Sequence, residues 1–333
     1  MCDHGRLIVR VGVVSLALAL AAAGCRSGKS ISMGFSAGGA GNGGLDTAAL
    51  RSDESSGVGG DKAGGPLFRF GLIADCQYHK EPGTGRKYSL SDRKLAECVN
   101  DFNSRDLAFV CHLGDFIDRD FESFDVVGPI FDRLQAKTYH VIGNHDYSVV
   151  DERKAEVPAV LGLDKTYYDF AVQGIRFVVL DGTDVSFHPY AEGTPEKQAA
   201  KRYYDDNNIQ LPTWNGALGD AQLAWLKRAL AGAQERGERV ILFCHFPAFP
   251  ENIHNLWNAE AVMNLIEPYD CVIAYINGHN HHGNYGRRAG IHYVTLKAMV
   301  DTETNSYAVV DVFDDRLEVA GFGRESRRVL PFR

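Results

Sequence analysis

Five short polar clusters carry the side chains of this chain that are best suited to bind metal ions. In chain order they are Asp75-Cys76-Gln77, Gly114-Asp115-Phe116-Ile117-Asp118, Gly143-Asn144-His145-Asp146, Cys244-His245 and Gly278-His279-Asn280-His281. Their candidate ligands are carboxylate, amide and imidazole groups. Such oxygen and nitrogen donors suit Mn²⁺ or Fe, with Zn²⁺ as an alternative, and are unlike the thiolate set of a structural zinc site. The clusters therefore predict a centre for divalent cations.

The position of the clusters strengthens this prediction, because each one comes directly after an apolar run. A single His at a strand end is more often a hydrogen-bonded structural residue than a ligand, but five such clusters in order are difficult to obtain by chance. Asp75 and Gln77 are two residues apart, as are His279 and His281. In extended chain this spacing puts both side chains of a pair on one face. By the same alternation, the intervening Cys76 is expected to point away from the metal, and so is Cys244.

The chain around the clusters alternates short apolar runs with amphipathic ones. The apolar runs predict strands at residues 68–74, 107–113, 138–142, 239–244, 271–276, 291–296, 307–313 and 316–320, and a hairpin over 167–180. The amphipathic runs predict helices over 92–103, 126–134 and 220–237. This alternation predicts an α/β layered fold whose chemistry lies at the strand ends.

The ordered set D-x-Q, GDxxD, GNHD, H and GHxH resembles the motifs of the calcineurin-like metallophosphoesterase superfamily, over residues 68 to about 322. Three further stretches, FGLIADCQY, Leu256-Trp257-Asn258 and Ile291-His292-Tyr293-Val294, are similar to the manganese-dependent ADP-ribose/CDP-alcohol diphosphatases, in which Gln replaces the usual His of the first motif. The resemblance implies an α/β, four-layer metallophosphoesterase fold, with two mixed β-sheets packed as a sandwich and flanked by helices.

The resemblance also implies a role for each site residue. Seven side chains would bind two divalent ions: Asp75, Gln77 and His281 at one ion, Asn144, His245 and His279 at the other, and Asp115 between them. A hydroxide bridging the ions would be the nucleophile. His145 would protonate the leaving group as a general acid, the alternative being a structural His that caps the turn. Asp118 and Asp146 would orient their neighbours rather than bind metal.

Three functional hypotheses follow from this set. The first is a two-metal hydrolase of phosphoanhydride or phosphodiester bonds, acting on nucleoside-diphosphate compounds such as ADP-ribose or CDP-alcohols. The second is a phosphodiesterase or phosphomonoesterase with other substrates. The third is a surface binding lipoprotein with a dead site, which the complete ligand set disfavours. In the first two cases the partner is a small phosphate ester or nucleotide, and we expect a monomer.

Charge excludes one class of function. The chain has 35 Lys and Arg against 43 Asp and Glu, a formal net charge of −8, and no basic stripe. Sequence-independent binding to nucleic acid is therefore not expected. Because this charge does not attract a phosphate anion, we expect help from cationic side chains near the last motif, namely Arg287, Arg288 or Lys297.

The first 67 residues read as an export signal and a tether. Residues 1–24 contain Arg6 and Arg10 followed by an apolar run that is short for a bilayer span but typical of a signal peptide. The run ends in Ala22-Ala23-Gly24-Cys25, which resembles the lipobox of bacterial lipoproteins, with Cys25 as the lipidated residue; ordinary cleavage nearby is the alternative. Residues 25–67 are a flexible Gly/Ser-rich tether, and 68–333 form the metallophosphoesterase domain. We expect an exported, membrane-anchored lipoprotein facing the periplasm or the cell exterior.

Residues 183–219 form a long segment without clear periodicity, rich in aromatic residues: Phe187, Tyr190, Tyr203, Tyr204 and Trp214. Its length exceeds a normal connection. A lid that stacks a nucleobase and simple aromatic packing on the domain surface are both open.

The five Cys residues of the domain and two of its His residues are expected to be structural. The chain has seven Cys and no C-x-x-C pair, and the five in the domain lie on apolar runs, so buried thiols are favoured over a disulfide framework. His79 and His112 are expected to be structural or surface residues. His282 stands where the similar proteins commonly have an acidic residue, so its relation to substrate is open.

Overall fold

The computed structural model describes residues 64–333. The predicted signal peptide, Cys25 and the tether up to residue 63 lie outside the described residues. Leu67, the last residue of the predicted tether, already donates a backbone hydrogen bond of 2.7 Å to the carbonyl oxygen of Val312. Within residues 64–333, every helix is too short or too polar to cross a lipid bilayer.

Twelve strands and six α-helices make up this part of the chain. The strands are β1 (Phe68–Ile73), β2 (Phe109–His112), β3 (Lys137–His140), β4 (Tyr168–Val172), β5 (Ile175–Val179), β6 (Arg239–Phe243), β7 (Val272–Asn277), β8 (His282–Arg288), β9 (Ile291–Lys297), β10 (Ser306–Val312), β11 (Arg316–Gly323) and β12 (Arg328–Pro331). The helices are α1 (Ser91–Asn103), α2 (Phe124–Phe131), α3 (Val157–Val160), α4 (Pro195–Asp206), α5 (Asp220–Glu235) and α6 (Ala259–Ile266).

The strands form two mixed six-stranded sheets, with the orders β12-β11-β10-β1-β2-β3 and β4-β5-β6-β7-β9-β8. In the first sheet β1, β2 and β3 are parallel neighbours. In the second, β5, β6, β7 and β9 are parallel. Parallel neighbours end at the same edge of a sheet, so the polar clusters that follow β1, β2, β3, β6 and β7 start from two adjacent groups of strand ends.

Three hydrophobic cores define four layers. Between the sheets, the rings of Phe70 and Phe109 stack with centroids 4.9 Å apart, and Phe177 of the other sheet meets Phe70 edge-on at 5.3 Å. Outside the first sheet, α1 and α2 cover its outer face, and outside the second sheet α5 and α6 do the same. The predicted sandwich of two mixed sheets flanked by helices is confirmed.

Helix α1 shows how the sequence specifies these layers. Leu95, Cys98, Val99 and Phe102 recur at helical spacing, as predicted, and all four are buried against the first sheet. Five elements escape prediction, namely α3, α4, α6, β8 and β12, and two of them show why. Helix α4 has start signals, since Thr194 caps Lys197 and Pro195 follows, but it buries only Ala200 and so has no apolar periodicity. Strand β8 lies at a sheet edge without a fully buried residue.

The aromatic residues of 183–219 divide into two groups. Phe187 and Tyr204 pack with Trp257 into a ring cluster with centroid distances of 5.0 to 5.8 Å. Trp214, by contrast, is 43% exposed and lies on the wall of the cavity described below. Simple packing therefore accounts for the first group, and contact with a substrate stays a prediction for Trp214.

Candidate metal centre

The loops that follow the strands are joined in pairs by backbone hydrogen bonds. After β1 and β2, the amide of Asp75 donates to Gly114 O at 3.2 Å and that of Gln77 to Asp115 O at 2.9 Å. After β6 and β7, the amide of Gly278 donates to His245 O at 3.1 Å. Each sheet therefore contributes a fixed pair of loops to one site.

Glycine is required where these loops approach the site side chains. A Cβ atom at Gly114, whose φ is +95°, would lie 2.6 Å from His245 Nδ1, and one at Gly278 would lie 2.7 Å from Asp75 Oδ2. Both distances are too short for any side chain. The two glycines that precede Asp115 and His279 in the sequence thus make room for ligands that come from the other loops.

Four of the predicted ligands have left-handed backbone conformations: Asp75 (φ 52°), Gln77 (φ 45°), Asp115 (φ 58°) and His279 (φ 68°). The expectation that Asp75 with Gln77, and His279 with His281, share a face because the chain is extended is therefore wrong. β1 ends at Ile73 and β7 at Asn277, before these residues. Such conformations cost about 1–3 kcal/mol each and persist only where the surrounding structure imposes them, typically at functional sites.

The carboxylate of Asp115 lies at the centre of the site. Its Oδ2 atom is 2.8 Å from Gln77 Nε2 and 3.2 Å from His245 Nε2. Its Oδ1 atom accepts a hydrogen bond of 2.8 Å from the backbone amide of His145. Asp115 thus reaches residues that the resemblance assigns to both ions, as expected for a bridging ligand.

Asp75 and His281 lie on one side of Asp115. His281 Nε2 is 3.5 Å from Asp75 Oδ1 and 3.3 Å from Gln77 Nε2. Asp75 also accepts two hydrogen bonds, of 3.1 and 3.2 Å, from the backbone amide of His279. Asp75, Gln77 and His281, which are predicted to share an ion, are therefore neighbours in the structure.

His245, His279 and Asn144 lie on the other side. Ligand atoms of Asp115, His245 and His279 all lie within 4.8 Å of one another, and all three residues are buried. Asn144 lines the same cavity, of about 280 Å³, together with Asp115, His279 and His281. The structure brings all seven predicted ligands together.

Two atoms of this site test whether the residues fit a cation. Asn144 Oδ1 and His245 Nε2 are both buried and, among the described residues, neither makes a hydrogen bond, although His245 Nε2 lies 3.2 Å from Asp115 Oδ2. A buried acceptor without a partner costs about 1–3 kcal/mol. Since an amide oxygen and an imidazole nitrogen are both good ligands of divalent metals, the arrangement fits a bound cation.

Gln77 departs from the predicted geometry in one respect. Its Nε2 atom, which cannot coordinate a cation, faces Asp115 and His281, while Oε1 accepts a hydrogen bond of 3.0 Å from Arg86 Nη1. Coordination through Oε1 therefore requires the amide to turn over, and this turn would break its bond to Arg86.

Burial and charge shift the site pKa values in opposite directions. Complete burial favours the neutral form of Asp115, but the facing imidazole of His245 outweighs it and holds the pKa of Asp115 well below its usual range. Burial likewise lowers the pKa of His245, and the Asp115 charge overcomes this and raises it to about 9. For Asp75 burial dominates and raises the pKa. Asp115 is thus held in its charged form by the imidazole that faces it.

His145 lines the cavity and is oriented by Asp118. Its Nδ1 atom is 2.9 Å from Asp118 Oδ1, and its side chain is 28% exposed, whereas that of Asp118 is 3% exposed. Burial lowers the pKa of His145, but Asp115 and Asp118 together raise it above its usual value. The imidazole is therefore accessible from the cavity and held in place from behind.

Asp146 joins the loops after β2 and β3. Its carboxylate accepts hydrogen bonds from the backbone amides of Asp115 (3.1 Å), Phe116 (2.7 Å) and Gly143 (2.9 Å). Burial raises its pKa to about 7, and the charge of Asp115 adds to the effect. These contacts match its predicted role of orienting neighbours.

Three contacts at the site come from residues that the motifs do not contain. Asp301 Oδ1 lies 2.7 Å from His281 Nδ1, and Asn215 Oδ1 lies 2.9 Å from His279 Nε2. Arg86 is bound to Gln77, as described above. Asp301 follows the apolar run after β9, so its position at a strand end was a usable signal. Neither Asn215 nor Arg86 has any spacing that links it to the motifs.

The cationic side chains near the site differ from those expected. Arg288 lies 2.7 Å from Glu267 and 3.1 Å from Glu260, and Lys297 Nζ donates to Arg324 O at 2.8 Å. Arg287, Arg288 and Lys297 do not line the cavity, so the expectation that they attract substrate is wrong. The cations that line the ligand cavity and its neighbour of about 470 Å³ are Arg86 and Arg324, and His282 lies on the second cavity.

The described cysteines, together with His79 and His112, are structural, as predicted. The five described cysteines, Cys76, Cys98, Cys111, Cys244 and Cys271, are free, and all but the half-buried Cys271 are buried. Cys76 and Cys244 pack into the two cores beneath the outer helices, away from the ligands. His79 binds Asp120 at 2.9 Å, and His112 packs against Phe116.

Comparison with known proteins points to one family. Residues 68–283 match the family model described as calcineurin-like phosphoesterase. A manganese-dependent ADP-ribose/CDP-alcohol diphosphatase from Arabidopsis thaliana is 31% identical over 302 residues, covering 80% of this chain and 97% of that protein. The Homo sapiens protein of the same name is 24% identical and covers 80% and 93%. The crystal structure of a dimetal phosphatase from Danio rerio superposes with a TM-score of 0.74 at 26% identity, covering 80% of this chain and 100% of that one.

Proposed function

Because this chain belongs to the calcineurin-like phosphoesterase family, we propose that it hydrolyses the pyrophosphate bond of nucleoside-diphosphate compounds of the ADP-ribose and CDP-alcohol kind. As a member of the family it is a metal-dependent phosphohydrolase, so a purely binding role with a dead site is not retained. The observation that carries the proposal is the convergence of carboxylate, amide and imidazole ligands on Asp115.

The substrate class rests on relatives and on one residue. The similar proteins from Arabidopsis thaliana and Homo sapiens are named for ADP-ribose and CDP-alcohols and for manganese. By the resemblance of the D-x-Q motif, Gln77 stands where other members of the superfamily have His, which is typical of these diphosphatases. We therefore propose Mn²⁺ as the metal ion in preference to Fe or Zn²⁺, and pyrophosphates as substrates in preference to monoesters.

The seven converging residues would hold two divalent ions. Such ions, when bound, neutralise the phosphoryl oxygens and supply an activated water. The residues of the chain do the rest: Asp115 holds the two groups of ligands at a fixed separation, and the loops that Asp146 joins keep Asp115 in place. Because all these groups are buried, bulk water is excluded and the electrostatic interactions between them are stronger than they would be in water.

His145 is placed to act on the leaving group. Its imidazole faces the cavity, and its Nδ1 atom is bound to Asp118, so Nε2 is the atom that can hold a proton toward a substrate. A general acid in this position would protonate the leaving phosphate oxygen and so prevent the build-up of charge on it.

The substrate has room for its second half beside the ligands. The cavity of about 280 Å³ contains Trp214, and the adjoining cavity of about 470 Å³ contains Arg324. Arg86 and His254 belong to both. An aromatic ring and guanidinium groups suit a nucleobase and a phosphate, respectively.

A substrate panel tests the proposal. The full chain with Mn²⁺ should hydrolyse ADP-ribose and CDP-choline faster than cyclic nucleotides or simple phosphate monoesters. Asp115→Asn in the same assays controls for contaminating phosphatases. Preference for cyclic nucleotides or monoesters would contradict the pyrophosphate proposal and would support the phosphodiesterase or phosphomonoesterase alternative.

We also propose that the chain is exported and anchored through a lipid on Cys25. The support is the sequence alone: the positive charges of Arg6 and Arg10, the short apolar run and the small residues before Cys25. In a bacterial host, labelled fatty acid should be incorporated into the wild type but not into Cys25→Ser. Equal labelling of both would contradict the anchor.

A further inference from the structure

The side chain of Asn215 connects the segment of residues 183–219 to the metal centre. Asn215 is fully buried, and its Oδ1 atom lies 2.9 Å from His279 Nε2. On the other side its Nδ2 atom donates a hydrogen bond of 2.7 Å to the carbonyl oxygen of Ile253. The amide thus bridges a predicted metal ligand and the chain that follows β6.

The bond to Ile253 fixes which atom of the amide faces His279. A backbone carbonyl only accepts, so Nδ2 of Asn215 must be the atom that meets it, and Oδ1 is left facing the imidazole. An amide oxygen also only accepts. His279 must therefore donate from Nε2, and its lone pair is on Nδ1.

We propose that Asn215 is a positioning residue for metal binding, which sets His279 in the tautomer that presents Nδ1 to the cation. This inference rests on the proposed function, since it assigns a role toward the same metal centre. It also assigns the ligand atom of His279, which neither the motif nor the donor types specify.

The other two imidazoles of the site are held in the same manner by different partners. His245 Nδ1 lies 2.9 Å from the carbonyl oxygen of Leu113, and His281 Nδ1 lies 2.7 Å from Asp301 Oδ1. In each case one ring nitrogen meets an acceptor, and the other is left for the cation. His279 is the one that uses Nε2 for the outer bond, so it presents Nδ1 where the others present Nε2.

The chain around Asn215 is fixed on both sides, as a positioning role requires. Val185 and Ala217 exchange backbone hydrogen bonds of 3.0 and 2.9 Å. The side chain of Asn258 accepts from Leu218 N at 3.2 Å and donates to Leu218 O at 2.8 Å. This part of the segment is therefore held against the domain, and it carries the ring of Trp214 next to the residue that orients His279.

Three variants of the full chain test the inference through Mn²⁺ binding, measured by calorimetric titration after removal of metal. Asn215→Leu has a similar size but no acceptor, and it should raise the Kd for Mn²⁺ by about 10–100-fold. Asn215→Asp keeps the acceptor and loses the bond to Ile253, and its Kd should stay within about threefold of the wild type, the threefold margin being below 1 kcal/mol.

Asn258→Leu is the matched control, because it loosens the same segment without touching an imidazole. It should lower the Tm and leave the Kd unchanged. An unchanged Kd in Asn215→Leu would overturn the inference, and so would an equal rise in Asn258→Leu, since the position of the segment rather than the acceptor would then matter.

The tautomer itself can be measured without metal or substrate. In ¹⁵N-histidine-labelled wild type, the long-range ¹H–¹⁵N correlations of His279, assigned by comparison with His279→Gln, should show Nε2 protonated and Nδ1 bare. A proton on Nδ1 overturns the inference whether or not Asn215→Leu folds. A wild type with this tautomer that binds no Mn²⁺ contradicts the proposed function and leaves the assignment of the hydrogen bond intact.

Discussion

The loops that follow the strands and the segment of residues 183–219 contribute to the same site in different ways. The loops supply the seven predicted ligands, held by backbone hydrogen bonds and by unusual φ angles. The segment supplies Asn215, which contacts a ligand, and Trp214, which lines the cavity. The comparison shows that the residues that bind the metal and those that place them come from separate parts of the chain.

The largest effect is expected when the loops lose their central charge. Asp115→Asn should reduce turnover by more than about 100-fold, because the change removes the charge shared by both groups of ligands. Loss of a residue that only hydrogen-bonds to a ligand costs about 10–100-fold, and loss of a ligand charge should exceed that range. The Tm should change little, since the amide has the same shape. Turnover is measured on ADP-ribose with Mn²⁺, and exposed Asp164→Asn serves as a control. Retention of a tenth of wild-type turnover would exclude the bridging role.

Loss of His145 should depend on the leaving group. His145→Ala should slow pyrophosphate substrates by about 10²–10⁴-fold and nitrophenyl esters far less, because an activated leaving group needs no proton. Rates across a series of leaving groups give the result. An equal loss of rate across the series would indicate that His145 has a structural role and is not a general acid.

Asp301→Asn tests whether the residue that hydrogen-bonds to His281 supports metal binding as Asn215 is proposed to do for His279. The amide keeps an acceptor but removes the negative charge 2.7 Å from His281 Nδ1. The Kd for Mn²⁺ should therefore rise by about tenfold, at the lower end for such partners. In Asp301→Leu, which has no acceptor, the Kd for Mn²⁺ should rise further. If neither variant changes the Kd, the acceptors do not position the imidazoles.

The smallest effect is expected at the wall of the cavity. Trp214→Ala should raise the KM for nucleotide substrates by about fivefold, corresponding to the lower range of 1–3 kcal/mol for base stacking, and leave the KM for nitrophenyl phosphate unchanged. Tyr204→Phe, a change within the packed ring cluster, should leave the KM for both kinds of substrate unchanged. An equal rise in KM for both substrates with Trp214→Ala would show that the segment only supports the fold.

The ligands could be predicted from sequence because type and position coincide. Asp75, Asp115 and His279 each follow an apolar strand, and parallel strands end together. The fold was predictable for the same reason, since α1 and the central strands have clear apolar periods. The backbone conformation of the ligands was not predictable. The left-handed φ values of Asp75 and His279 occur where loops that are distant in sequence approach each other closely.

Of the two supporting residues that contact imidazoles, Asp301 had a signal in its position after a strand end, whereas Asn215 had none. Asn215 lies 64 positions from His279 in sequence, and Asp301 lies 20 positions from His281. No spacing rule joins Asn215 to His279. The hydrogen bonds of residues 216–218 to Val185, Trp257 and Asn258 hold Asn215 at the imidazole. The expected help from Arg288 was wrong because Glu260 and Glu267 already bind it.

Anomalous diffraction from crystals of the full chain grown with Mn²⁺ tests the central claim most directly. The account predicts two manganese peaks about 3.5–4 Å apart, one on each side of the Asp115 carboxylate. One peak shared by all the ligands, or manganese bound away from Asp115, would contradict it.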